Sequence, residues 1–120
     1  MYVLAFEEHP QFLLARATGE RTAQNLLRSL QESLAACLAG GRSKLLLEMH
    51  LGGPGLSSAA IVNVISLVMP EALKLAKIAL VEAVNGDSGL PFAETVALNR
   101  GVNLRLFHTG GEAAQWLSGV

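Results

Sequence analysis

The sequence predicts an α/β fold: a sheet of four to five strands, mostly parallel, opened by an antiparallel hairpin and accompanied by about four helices in the order β-β-α-β-α-β-α-β-α. Three observations carry that prediction. Leu45 to Met49 and Lys77 to Val84 are short apolar runs without alternation, as expected of strands covered on both faces. Between such runs the apolar residues recur at helical spacing, and glycine, serine and threonine sit where helices start and stop. Strands alternating with helices in this way build right-handed crossovers around a parallel sheet.

Taken in order, Tyr2 to Glu7 alternates weakly and Phe12 to Ala17 is apolar, and His9-Pro10 between them is turn-like, so the two runs form a hairpin. Gly19 is expected to break the second strand. Thr22 then offers an N-cap hydroxyl to a helix whose apolar positions, Ala23, Leu26, Leu27, Leu30, Leu34, Cys37 and Leu38, fall on one face, with Gln24, Arg28, Gln31 and Glu32 opposite. Gly40-Gly41 supplies the left-handed residue that ends it. After the third strand, Gly52-Gly53-Pro54-Gly55 forces an irregular loop, and Ser57 or Ser58 caps a second helix running to about Met69, where Pro70 ends or kinks it. Lys77 to Val84 is the fourth strand, and residues 85–89 are loop chemistry. Pro91 suits the first position of a third helix that Arg100-Gly101 closes. Val102 to Phe107 is the last strand. Thr109 with Glu112 makes a capping box for a final helix through Leu117.

A chain of 120 residues, 51% apolar, suits a single domain spanning 1–120 with one core of its own. The formal charge is -1 and no run of lysine or arginine occurs, which argues against a nucleic-acid partner. Cys37 is the only thiol, so no intrachain disulfide can form; with no basic-then-apolar leader, the expected compartment is the cytoplasm. Leu51 to Pro70 is uncharged, but only Ala59 to Met69 is compactly apolar, too short for a transmembrane segment.

In open α/β sheets ligands gather at the carboxyl ends of the strands. That rule selects loops holding Gly19 and Thr22; Glu48, His50 and Ser57-Ser58; Glu82, Asp87 and Ser88; and His108 with Thr109. His50, Asp87 and His108 are therefore the candidate ligand-loop residues. The stretch from Gly53 to Ser58 has a superficial dinucleotide-type glycine spacing, but it follows the third strand, not the first, and reads as a flexible turn. A hydrolase triad drawn from Ser57 or Ser58, His50 or His108, and Asp87 lacks the nucleophile-elbow pattern, and serines ahead of a helix serve as caps. The three histidines are scattered singly, so no metal site is expected, and no cofactor motif is present. Cys37 reads as core, and Trp116 as packed against the sheet.

The second helix is the informative segment. Ile61, Val64, Ile65 and Val68 form its sheet-facing stripe, whereas the far side offers Ala59, Asn63 and Ser66 flanked by Val62, Leu67 and Met69, with no charge. Such a helix is covered by something: the chain's own neighbouring segments, a second subunit or protein partner, or an apolar, lipid-like small molecule. The candidate interface residues are Ala59, Val62, Asn63, Ser66 and Met69.

The hairpin, Leu13 to Gly19 leading into Thr22, Leu45-Leu46-Leu47-Glu48, the helix start at Leu56-Ser57-Ser58, Lys77-Ile78-Ala79-Leu80-Val81, and Phe107 with Glu112-Ala113 and Trp116-Leu117 together resemble STAS-type domains, in particular their small bacterial SpoIIAA-like relatives, grouped with lipid-binding SEC14 folds. The resemblance covers nearly the whole chain. It implies a non-enzymatic regulatory or interaction module, a homodimer or partner-bound protein of the anti-sigma-factor-antagonist kind, in which a partner kinase phosphorylates the serine that Ser58, or Ser57, matches. The family pattern has an aspartate just before that serine and usually another at the end of the third strand, where this sequence has Leu56 and Glu48. The lipid-binding relatives imply a carrier whose second and third helices part around an apolar ligand.

Overall fold

The computed structural model describes residues 1–82 and 88–119. β1 (Tyr2–Glu8) and β2 (Leu13–Glu20) pair antiparallel in an unbroken register from Tyr2 opposite Gly19 to Glu8 opposite Leu13. β3 (Lys44–Gly52), β4 (Lys77–Val81) and β5 (Leu104–Phe107) then add in parallel, so the sheet order is the chain order, β1 to β5. The helices are α1 (Ala23–Ala39), α2 (Ser58–Ala72), α3 (Leu90–Asn99) and α4 (Gly110–Ser118). The predicted order and the mixed, mostly parallel sheet are both present, with five strands and four helices among the described residues.

Alternation along the strands divides the core between the two faces of the sheet. Leu13, Ala15, Ala17, Leu45, Leu47, Met49, Ile78, Leu80 and Leu104 belong to the large cluster, with α1, α2 and α3 laid side by side over it. Phe12, Leu14, Leu46, Ala79 and Val81 meet Ala113 and Leu117 of α4 on the other face. One helix cannot cover five strands. Arg16, Thr18 and His50, on that second face, stay exposed.

Several boundaries differ from the sequence reading, each for a physical reason. Gly19 does not break β2: its φ of 139° lets the strand continue to Glu20, with its Cα so close to the backbone of Met1 that a side chain there would collide. Pro70 does not end α2, which runs on to Ala72; proline merely withholds one amide from the ladder. The last strand begins at Leu104, not Val102, because the Val102 amide bonds the Ala97 carbonyl and closes the turn after α3. The capping box of α4 is half made. Thr109 Oγ1 accepts from the Glu112 amide, but the Glu112 carboxylate takes the Thr109 hydroxyl, not its amide. Ala83 and Val84, read as the end of the fourth strand, lie outside the described residues.

The anticipated stripe of α1 is buried at Leu26, Leu30, Leu34 and Cys37, and Thr22 Oγ1 caps it by accepting from the Asn25 amide at 3.0 Å. Two serines share that stripe. Ser29 Oγ donates to its own helix at Leu26 O, 2.8 Å away, while Ser33 Oγ is buried without a partner among the described residues. Burial, opposed by Arg42, raises the Cys37 pKa, which keeps the thiol protonated and inert.

Candidate functional site

Three loops at the carboxyl edge of the sheet are tied together by one arginine. Arg21, between β2 and α1, addresses three successive carbonyls where β3 passes into the loop before α2: its amide donates to Gly52 O at 2.8 Å, its Nη2 to Leu51 O at 2.9 Å, and its Nη1 to Gly53 O. The same guanidinium lies 3.7 Å from the carboxylate of Glu82, which is buried at the end of β4. Ser88 Oγ donates to Glu82 Oε1 at 2.6 Å and accepts from the amide of Leu90, the first residue of α3. A cavity of about 10 Å³ lies among these groups and Leu26, Met49, Leu51, Leu56 and Leu90, room for no more than one water.

The glycine-rich loop thus turns carbonyls toward a cation, the opposite of a phosphate cradle, which presents amides. Sequence reasoning selected Glu82 and Ser88 as loop residues but missed Arg21. A lone arginine two residues after Gly19 and next to a helix cap was the available signal; its partners lie about 30 and 60 residues away in the chain and only folding brings them near.

The loop so held delivers Ser57 and Ser58 to the start of α2. Ser57 is the N-cap, its Oγ accepting from the Ala60 amide at 3.2 Å, and Ser58 is the first helical residue; both are exposed. No acidic residue occupies the first turn. Leu56, where the resemblance leads to the expectation of an aspartate, is half-buried against the core.

From there α2 runs between α1 and α3. Val62 and Met69 are half-buried against the core, so the chain's own helices cover part of this face, one of the alternatives that the sequence left standing. Ala59, Asn63, Ser66 and Leu67 remain exposed, Leu67 at 51%. The face is also not free of charge. Arg100, at the end of α3, donates to Ser66 Oγ at 2.6 Å, and Glu71 enters because the helix continues past Pro70. Alongside, a groove of about 190 Å³ runs between α1 and α2, bordered by Gln31, Ala35, Leu67 and Glu71.

The histidines do not converge on the serines. His50 lies within β3, not in the loop after it, because that strand extends to Gly52; alternation then places it on the α4 side of the sheet beside Glu48. His108 Nδ1 is 3.2 Å from the Glu82 carbonyl oxygen. Asp87 lies outside the described residues. Among the described residues no hydrogen bond joins either serine to a histidine, and no three metal-ligating side chains gather. The apolar cavity beneath α1, α2 and α3, lined by residues such as Leu34, Ile65, Met69 and Val102, measures about 10 Å³, far below the volume of a lipid-like ligand.

On the exposed sheet face, Glu48 accepts from Arg16 Nε at 2.8 Å and lies 3.2 Å from His50 Nε2. Burial would raise the Glu48 pKa, but the hydrogen bonds from Arg16 and His50, with the charge of Arg16, outweigh it and lower the value. The sign follows: a depressed folded value contributes stability above the unfolded carboxylate pKa and loses it as pH falls through the folded one. Carbon-detected NMR titration should place the Glu48 midpoint below that of an ordinary glutamate, and Arg16→Met should raise it.

With this geometry in hand, comparison with solved structures is decisive for the fold. An anti-sigma factor antagonist from Mycobacterium paratuberculosis superposes with a TM-score of 0.64 at 15% identity, covering 99% of this chain and 96% of that one. An uncharacterised protein with a SpoIIAA-like fold from Shewanella loihica gives 0.60 at 18% identity over 97% and 93%. The anti-sigma factor antagonist SpoIIAA in its unphosphorylated form gives 0.54 at 13% identity over 98% and 100%. The chain has the SpoIIAA-like fold. No family model and no curated protein matches its sequence. At these identities the SpoIIAA-like likeness is one of architecture, and one fold hosts many functions. No helix among the described residues is long and apolar enough to cross a membrane.

Proposed function

We propose that this chain works as a single, non-enzymatic regulatory module that binds a protein partner through α2, with Ser58, or its neighbour Ser57, as the phosphate-accepting switch at the head of that surface. The observation that carries the reading is the junction of two exposed serines with the exposed ridge Ala59, Asn63, Ser66 and Leu67, at the end of a loop that Arg21 holds in place. Two of the SpoIIAA-like neighbours are anti-sigma factor antagonists, which supports a regulatory role. A phosphate on Ser58 suits the positive end of the α2 dipole and meets no carboxylate in the first turn, so it switches the surface without melting the helix. On the partner side it adds charge that must be desolvated or repelled. The setting we infer is a reducing cytoplasm, in keeping with the free, buried Cys37.

The test is photo-cross-linking of the full chain in its native cells, from a probe at Asn63 and, as control, at exposed Gln115 on α4, together with mass spectrometry for phosphate. The expected result is a partner captured from position 63 alone, lost in Ala59→Lys, and bound at least about tenfold more weakly by Ser58→Glu. Equal capture from both positions, with neither serine ever phosphorylated, would refute the reading.

A further inference from the structure

The two edges of the sheet are not alike. β5 is four residues long and carries Arg105, which is how natural sheets blunt an edge. β1 is seven residues long, without proline, lysine or bulge, and among the described elements it packs along its length on β2. Two of its apolar residues are wet, Val3 at 50% exposure on one face and Phe6 at 46% on the other, and its charges, Glu7 and Glu8, stand together at one end. A row of backbone donors and acceptors on such a strand is a template for another strand.

We propose that β1 pairs antiparallel with β1 of a second copy of this chain, about a twofold axis at Leu4, joining the two sheets into one. The residues select the occupant and the register. In a twofold pair with its axis normal to the sheet, residues directly opposite share a face, so the axis must pass through a residue and not between two. Tyr2, Leu4 and Phe6 lie on the α1 side, and Val3, Ala5 and Glu7 on the other. An axis at Leu4 sets Leu4 against itself, Tyr2 against Phe6 of the other copy, and Val3 against Ala5. These pairs are apolar or aromatic, the kinds that stabilise neighbouring strands, and Glu7 falls opposite Met1 of the other copy.

Charge selects the direction. Glu7 and Glu8 crowd one end of the strand. Parallel pairing in register would stack each on its own copy, whereas antiparallel pairing sends the two acidic ends apart. Each Glu8 then lies diagonally across from Tyr2 of the other copy, beside the Arg28–Glu32 pair that Tyr2 contacts through its ring and hydroxyl. The contact is closed and ends at two copies. It leaves α2, with its exposed ridge, outside the interface.

Sedimentation velocity of the full chain over a wide concentration range tests this directly. A reversible dimer is expected, weakened at least about tenfold by Phe6→Lys and by Val3→Lys, which place charge on an already exposed edge and leave the circular dichroism unchanged. The register is read separately: the double variant Val3→Cys, Ala5→Cys should form disulfide-linked dimers on mild oxidation, Ala5→Cys alone should not, and buried Cys37 stays out of reach. A strict monomer at the highest concentration, open-ended aggregates, or capture only of an unrelated extended peptide would overturn the proposal. So would a dimer that survives both lysine variants or cross-links through Asn63→Cys on α2. Efficient linkage through Ala5→Cys alone would overturn the axis at Leu4.

Discussion

Replacing Arg21 by methionine is expected to lower the unfolding free energy by about 3–5 kcal/mol, the cost of stranding one member of a buried ion pair. The Glu82 carboxylate is only 9% exposed and the Arg21 side chain 17%, so water offers little relief to whichever charge is left behind. Arg21 also satisfies the carbonyls of Leu51 and Gly53 through its side chain, and methionine can donate to neither. For a domain whose total stability is of order 5–15 kcal/mol, such a loss puts much of the population near the unfolding transition. Urea denaturation measures it. The charge-free double variant Arg21→Met, Glu82→Leu should recover a good part of the loss, since an apolar pair fills the space without an uncompensated charge. A double-mutant cycle that came out additive would show that the two side chains do not act together. Hydrogen exchange adds a local readout, with faster exchange in Arg21→Met expected for the loop amides between Gly52 and Ser58.

The second large effect is expected at Leu47, where Leu47→Ala should cost about 2–5 kcal/mol. Leu47 is fully buried in β3, the central strand, facing the layer formed by α1, α2 and α3, and neighbours on both sides hold the sheet rigid. A hole there cannot collapse. By contrast, Leu67→Ala on the exposed ridge of α2 should move stability by no more than about 0.5 kcal/mol. The pair separates the two uses of leucine in this chain: thermal or urea unfolding reads the first, and only partner binding reads the second.

Much of the architecture was legible along the chain because its signals are local. The stripe of α1, the apolar run of β3 and the caps at Thr22, Ser57 and Thr109 rest on spacings of a few residues, and each appears where those spacings put it. The boundaries that moved did so through contacts between distant segments. Gly19 stays in a strand because β1 is beside it, and Val102 leaves one because its amide has been taken by α3. Ser29 and Ser33, polar residues that the sequence reading did not assign to either face, sit on the buried stripe of α1.

The candidate site was legible by halves. Ser57 and Ser58 could be assigned to a helix start from glycine and serine chemistry, and Glu82 and Ser88 to the strand-end loops. His50 was misplaced because extending β3 past Met49 carries it into the strand and onto the opposite face of the sheet. The charge-free face of α2 had to be corrected by Arg100, a residue of another helix that hydrogen-bonds Ser66.

The order of elements, their periodicity and the serine pair at the head of α2 come from the sequence by itself, since turns and caps are chosen by neighbouring residues. Which side chains meet was decided only in three dimensions. Arg21, Leu51, Gly53 and Glu82 are joined by chain closure across separate crossovers, and β1 stands at the edge of the sheet because the later strands add on the far side of β2. Local preference specifies pieces, while the burial of apolar faces and the pairing of buried charges settle how the pieces stand against one another.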